Sequence, residues 1–268
     1  MKDRIALVTG GSRGIGAACS RELAKRGAQV VVGARGKEAA EAVAREIVEA
    51  GGEAFAIQLD VSGPEGIEAG LAQARARLGT GTIDYLVNNA GVAESAPMRA
   101  GEGLAQRLMD VNFHGARRMA EALVPDMIEE GDGAIVNVAS AAGLVGFPYV
   151  SAYCASKFAL VGYGLALAEE LDNKGISVNS VCPHYVETSM LERSIANVVE
   201  KTGMSYEDAR KSFVELNPGG RFVQPEEVAT VVCDLIEGEE TAALVEMDGS
   251  EPMMHYPNLR QMGWRSER

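Results

Sequence analysis

The chain has 268 residues, of which 47% are apolar, and a formal net charge of −13 at neutral pH. That length suits one large α/β domain or two small ones, and no apolar run approaches the ~20 residues a bilayer span requires, so no membrane segment is expected. The acidic balance counts against nucleic acid as a partner, because duplex binding depends on clustered Lys and Arg. From the N-terminus, Met1-Lys2-Asp3-Arg4 leads straight into an apolar run too short for a signal-peptide core. That run, 5–9, predicts a strand; a Gly-rich turn and a helix over 14–26 follow. Next come a strand at 29–32, a helix over 38–50 stopped by Gly51-Gly52, and a strand at 54–59. A helix over 64–78 starts on Pro64, where a first turn tolerates it, and a strand occupies 83–87. A long helix over 104–130, a strand at 134–138, a helix running from Tyr153 to about 173 and a strand at 176–181 continue the alternation. After an irregular excursion over 186–224, a helix at 225–237 and a strand at 243–247 complete it.

Strands and helices alternating at this spacing imply right-handed crossovers and a mostly parallel sheet covered on both faces. The expectation is one domain over 1–268, an α/β doubly wound, seven-stranded Rossmann sheet, with a lid at about 186–224 and a tail at about 250–268. Cys19, Cys154, Cys182 and Cys233 show no CxxC spacing and fall in apolar patterns. They read as buried thiols of a cytoplasmic protein, with no disulfide framework and no metal.

Three groups of residues carry chemistry. Tyr153 and Lys157 lie four apart, so on a helix they share a face, and an ammonium there favours phenolate. A shift of ~3 units toward neutrality corresponds to ~4 kcal/mol of differential stabilisation. Ser140, at the end of an apolar run, offers a hydroxyl that holds a carbonyl oxygen beside the phenol. The same Tyr and Lys also fit an ordinary amphipathic face. Second, Gly10, Ser12, Arg13, Gly14, Ile15 and Gly16 follow a strand and open a helix, the place where backbone N–H groups bind phosphate. The spacing is Gly-x-x-x-Gly-x-Gly, and a purely structural turn is the alternative. Third, the second strand ends Gly33-Ala34-Arg35, with no carboxylate for ribose hydroxyls, while Arg13 and Arg35 suit a 2′-phosphate. NADP(H) is therefore favoured over NAD(H), against the alternative that Arg35 faces solvent and Arg13 pairs with an acid.

These residues, together with Asp60-Val61, Asn88-Asn89-Ala90-Gly91, Asn112 and Pro183-x-x-Val186-x-Thr188, all in order, resemble the short-chain dehydrogenase/reductase family in its one-domain form. The resemblance implies that Asp60 and Val61 flank adenine, and that Asn88 through Gly91 stabilise the fourth strand and line the cofactor. It implies that Val186 and Thr188 hold the nicotinamide carboxamide. It assigns Tyr153 as acid/base, Ser140 as the substrate-orienting group and Lys157 to the nicotinamide ribose and the tyrosine pKa. Asn112 would complete the set through a water leading to Lys157. The family usually has Pro-Gly where this chain has Pro183-His184. His184 either contacts substrate or packs against the lid. The C-terminal Asp248-Gly249-Ser250 also departs from the family pattern, which bears on subunit contacts.

The lid contains predicted helices at 191–201 and 205–216, the second opened by the capping pattern Ser205-Tyr206-Glu207-Asp208. Its apolar residues either close a pocket or anchor the two helices. Its layout is similar to lids of 3-hydroxybutyrate dehydrogenases and polyketide ketoreductases, while 140–171 looks more like hydroxysteroid and retinoid enzymes. An acyl carrier protein is disfavoured as substrate carrier, since Ile128-Glu129-Glu130-Gly131-Asp132 would repel an acidic partner, although Lys174 works against this. A free ketone, a small hydroxy compound or an acyl-CoA is favoured. Apolar residues around much of the Tyr153 helix predict a homo-oligomer, a tetramer or a dimer. The leading expectation is an NADP(H)-dependent oxidoreductase interconverting a ketone, or a 3-oxoacyl thioester, and a secondary alcohol. The alternatives are an NAD-dependent 3-hydroxy acid or hydroxysteroid-like dehydrogenase and a non-catalytic dinucleotide sensor.

Overall fold

The computed structural model describes residues 1–97 and 101–256. Its strands are β1 (Ile5–Thr9), β2 (Gln29–Ala34), β3 (Glu53–Gln58), β4 (Tyr85–Asn88), β5 (Gly133–Val138), β6 (Ile176–Pro183), β7 (Leu244–Met247) and β8 (Met253–His255). Its α-helices are α1 (Gly14–Lys25), α2 (Lys37–Glu49), α3 (Pro64–Leu78), α4 (Glu102–Met109), α5 (Ala116–Glu130), α6 (Ser151–Leu171), α7 (Ser189–Thr202), α8 (Tyr206–Glu215) and α9 (Pro225–Glu237).

The strands form one sheet in the order β3-β2-β1-β4-β5-β6-β7-β8, parallel throughout except for β8, which runs antiparallel to β7. Alternation along each strand divides the core. Ala6 and Val8 of β1 face a cluster that includes α1, α2 and α9, whereas Leu7 faces one built from α3, α5 and α6. The order reverses between β1 and β4, and at such a switch point the carboxyl ends of the strands open a crevice suited to a dinucleotide.

The expected seven strands become eight. Met253-Met254-His255 is too short for a legible alternation, and its pairing with β7 is set by a tight reversal. There Asp248 Oδ1 accepts from the Ser250 N–H at 2.8 Å and Gly249 takes φ +94°. The long helix expected over 104–130 is α4 and α5 joined by a π-helical segment, Asp110–Gly115. Two contacts across the groove impose it. Asn112 is tied by its side chain to Val92, and a Cβ at Gly115 would lie 2.9 Å from the Val61 carbonyl oxygen, so the helix must approach closely there. The two lid helices form as α7 and α8, and the Ser205 hydroxyl caps α8 by accepting from Asp208 N–H at 3.1 Å.

Candidate active site

The Gly-rich turn is built by contacts that exclude a side chain. Gly10 has φ +65°, and a Cβ on it would stand 2.9 Å from Ala90 Cα; a Cβ on Gly16 would strike Gly10 O and Asn89 Nδ2. Thr9 and Asn89 lock the turn to β4. The Thr9 hydroxyl accepts from the Asn89 and Ala90 N–H groups, each at 3.0 Å, and Asn89 Nδ2 donates to the carbonyls of Thr9 and Gly10. The N-terminus of α1 has no side-chain cap, which leaves its first N–H groups facing the crevice for an anion. Thr188 lies over this turn, its Cγ2 3.2 Å from where a Gly14 Cβ would sit. The strip following β6 is thereby brought above the phosphate end.

Arg13 and Arg35 are exposed at the turn and at the end of β2, and neither makes an ion pair among the described residues. Asp60, just past β3, accepts the Ser62 N–H at 3.0 Å, and Val61 is buried against Gly115. Asn88 points into the core instead of the crevice: its Nδ2 donates to Asn137 Oδ1 at 3.0 Å and to Ala116 O at 3.4 Å.

At the carboxyl end of β5 and the start of α6 the structure gathers Ser140, Tyr153, Lys157 and Asn112. The Ser140 hydroxyl lies close enough to the Tyr153 phenol to lower its pKa. The phenol pKa is nonetheless raised, because burial outweighs the effect of Ser140. The Lys157 ammonium donates to the Val138 carbonyl at 2.9 Å and lies 6.0 Å from the centre of the Tyr153 ring. Burial lowers the Lys157 pKa to about 8. Lys157 is thus close to the tyrosine, but burial, not the ammonium, dominates the phenol. Asn112, fully buried, accepts from the Val92 N–H at 2.8 Å and donates to Val92 O and to Ser156 Oγ, each at 2.9 Å. Ser156 in turn donates to Tyr153 O at 2.7 Å. A Cβ at Gly91 would lie 3.4 Å from Asn112 Oδ1 and 3.7 Å from Lys157 Nζ, so both groups converge on one spot beside Gly91.

Val186 bridges Val223, and Asn217 both accepts the Tyr185 N–H and donates to the Tyr185 carbonyl, each at 3.0 Å. His184 turns away to β7, its Nε2 2.8 Å from Glu246 Oε1. Among the residues that hold this site, Ser156 and Asn217 carry no motif. Their partners lie 44 and 32 positions away, Asn112 for the one and Tyr185 for the other, and no local pattern announces such pairs.

A family model described as short chain dehydrogenase matches residues 4–198. The chain is 39% identical over 235 residues to a putative ketoacyl reductase of Streptomyces coelicolor, covering 87% of this chain and 89% of that one. It is 36% identical over 240 residues to a cyclohexanol dehydrogenase of an Acinetobacter species, covering 88% and 89%. Among solved structures, a single-substitution variant of the actinorhodin polyketide ketoreductase with NADPH superimposes with a TM-score of 0.87 at 36% identity, covering 93% of this chain and 98% of that one. With the Gly-rich crevice, the Tyr153–Lys157 pair beside it and this family match over most of its length, the chain belongs to the short-chain dehydrogenases, a family of oxidoreductases.

Proposed function

We propose that the protein is an NADP(H)-dependent ketoreductase or alcohol dehydrogenase in which Tyr153 is the acid/base. The observation that carries this reading is the gathering of Tyr153 with Lys157 and Asn112, the last two converging beside Gly91, with Ser140 near enough to act on the phenol. The uncapped α1 N-terminus and the side-chain-free turn at Gly10, Gly14 and Gly16 fit a pyrophosphate, with Ser12 and Ile15 in the same turn. Arg13 and Arg35, without an ion-pair partner among the described residues, suit a 2′-phosphate, and Asp60, Val61, Ala90 and Gly91 line the way to Val186 and Thr188. A nicotinamide bound there supplies or accepts hydride. Ser140 orients the carbonyl oxygen, and Tyr153 gives that oxygen its proton in reduction and takes it back in oxidation. A phenol whose pKa is raised is a competent donor; the buried Lys157 ammonium stabilises the phenolate left behind. Asn112 holds the loop at Val92 and stands on the route by which that proton is replaced.

The similar proteins named as ketoacyl reductase and as polyketide ketoreductase with NADPH support a ketone substrate and this cofactor. A free ketone, a small hydroxy compound or an acyl-CoA is favoured over a carrier protein, because Glu129 and Glu130 end α5 exposed. Homo-oligomerisation is part of the same reading, with Phe158 of α6 46% exposed on a face that has apolar neighbours. The test is Tyr153→Phe, which keeps NADPH binding and loses turnover of a ketone panel followed at NADPH absorbance. Unchanged turnover would sink the assignment. Arg35→Asp should weaken NADPH about 10- to 100-fold while sparing NADH, the scale of a lost charge-assisted pair.

A further inference from the structure

Glu246 of β7 receives two imidazoles, one from just past the end of β6 and one from β8. His184 Nε2 lies 2.8 Å from Oε1, and His255 Nε2 lies 3.5 Å from Oε2. His184 is the buried arm: its side chain is 9% exposed, its backbone N–H donates to Met247 O at 2.8 Å, and its Nδ1 is buried without a partner. His255 is the arm open to solvent, 51% exposed, on a strand whose three side chains are all exposed. With its own side chains exposed, β8 is held by its ladder to Leu244–Glu246, by this contact and by Tyr256, which follows it and packs against the core. The other titratable groups facing the cluster are Cys182 and Asp248. Burial pushes the Cys182 thiol up to about 12, so it stays uncharged, and hydrogen bonds from Ser250 keep the Asp248 carboxyl low, with His184 a smaller contributor.

We propose that Glu246 is a positioning residue that relays the docking of β8 to the strip from His184 to Thr188, with the His255 contact helping to hold β8. The proposal rests on the reading above that Val186 and Thr188 receive the nicotinamide. The strip is tied to the lid stem through Asn217 and Val223 and to β7 through the His184 backbone, so the His184 ring is the part that Glu246 fixes. A Glu246 engaged by β8 holds the His184 ring in one place and presents the strip preorganised, which raises affinity without adding a contact. A fixed cation at position 255 beside Glu246 would hold β8 more tightly than a neutral side chain there.

The test compares full-length His255→Arg and His255→Gln by NADPH fluorescence titration. The arginine variant should bind NADPH about two- to fivefold more tightly than the glutamine variant, the scale of a half-exposed ion pair, with kcat at saturating NADPH equal in both. Amide exchange over 253–255 in nucleotide-free protein should be slower in the arginine variant. Equal NADPH affinities overturn the relay, and so does a change in kcat with affinity unmoved. No NADPH binding by either variant strikes the functional reading instead, and the exchange ranking then still decides whether position 255 clamps β8.

Discussion

Lys157 places a cation in a fully buried position, and that burial makes the protein's stability depend on pH. Its pKa falls from the ordinary lysine value to about 8 on folding. Below about 8 both folded and unfolded chains carry the proton and the burial cost is present in full; between about 8 and about 10.5 the unfolded chain binds more protons, so stability rises with pH. In urea titrations of nucleotide-free protein, wild type should gain up to ~3 kcal/mol relative to Lys157→Met between about pH 7.5 and about pH 10.5. A flat difference across that window would show that the ammonium is solvated. Much of this residue chemistry is legible in the sequence, since Tyr153 and Lys157 are one helical turn apart and Ser140 ends the adjoining strand region. What is not legible is the balance on Tyr153. Spacing alone brings the lysine near the phenol, but only the packed site shows that burial raises the phenol pKa more than Ser140 lowers it.

Elements show where local signals are overridden by contact. The 104–130 stretch reads as one helix, yet Gly115 must pass over Val61 and Asn112 must reach Val92, so six residues relax into a π-helical segment. The phosphate turn is as close-fitting. Gly16→Ala would push a methyl into Gly10 O and Asn89 Nδ2, and because those are backbone and an amide already bonded to Thr9 O and Gly10 O, neither yields cheaply. A loss of about 1–3 kcal/mol in denaturant midpoint analysis is expected, with NADPH affinity falling alongside. In the lid stem, Asn217 is buried and accepts from Tyr185 N–H while donating to Tyr185 O and Arg221 O. Asn217→Ala leaves those backbone groups dry and should cost about 2–4 kcal/mol. If the lid opens without the core unfolding, exchange will quicken at 185–223 and the global midpoint will move less. The two lid helices themselves are readable beforehand, because Ser205 and Asp208 supply an explicit cap.

At the scale of the whole molecule, the sheet order brings residues from β1, β4, β5 and β6 to one carboxyl edge, and the net charge of −13 surrounds them. An acidic carrier protein approaching that surface is repelled over roughly a Debye length, ~10 Å at about 0.1 M salt. Turnover of a ketone on such a carrier should therefore trail the same ketone on CoA at low ionic strength and rise at least about threefold as salt is added. A salt-independent carrier rate would point to a local basic docking patch. The described residues contain no helix long and apolar enough to cross a membrane, and no group of three or more His, Cys, Asp or Glu placed to hold a metal. The sequence by itself determined the α/β alternation, the Gly-rich turn and the Ser140, Tyr153 and Lys157 set, because each is written in spacings of a few residues. Only the tertiary structure decided that β8 closes the sheet, that Asn88 faces the core while Asn89 braces the turn, and that His184 joins Glu246. Those outcomes depend on partners tens of residues apart in the chain, and they are fixed when the sheet brings separate strands side by side.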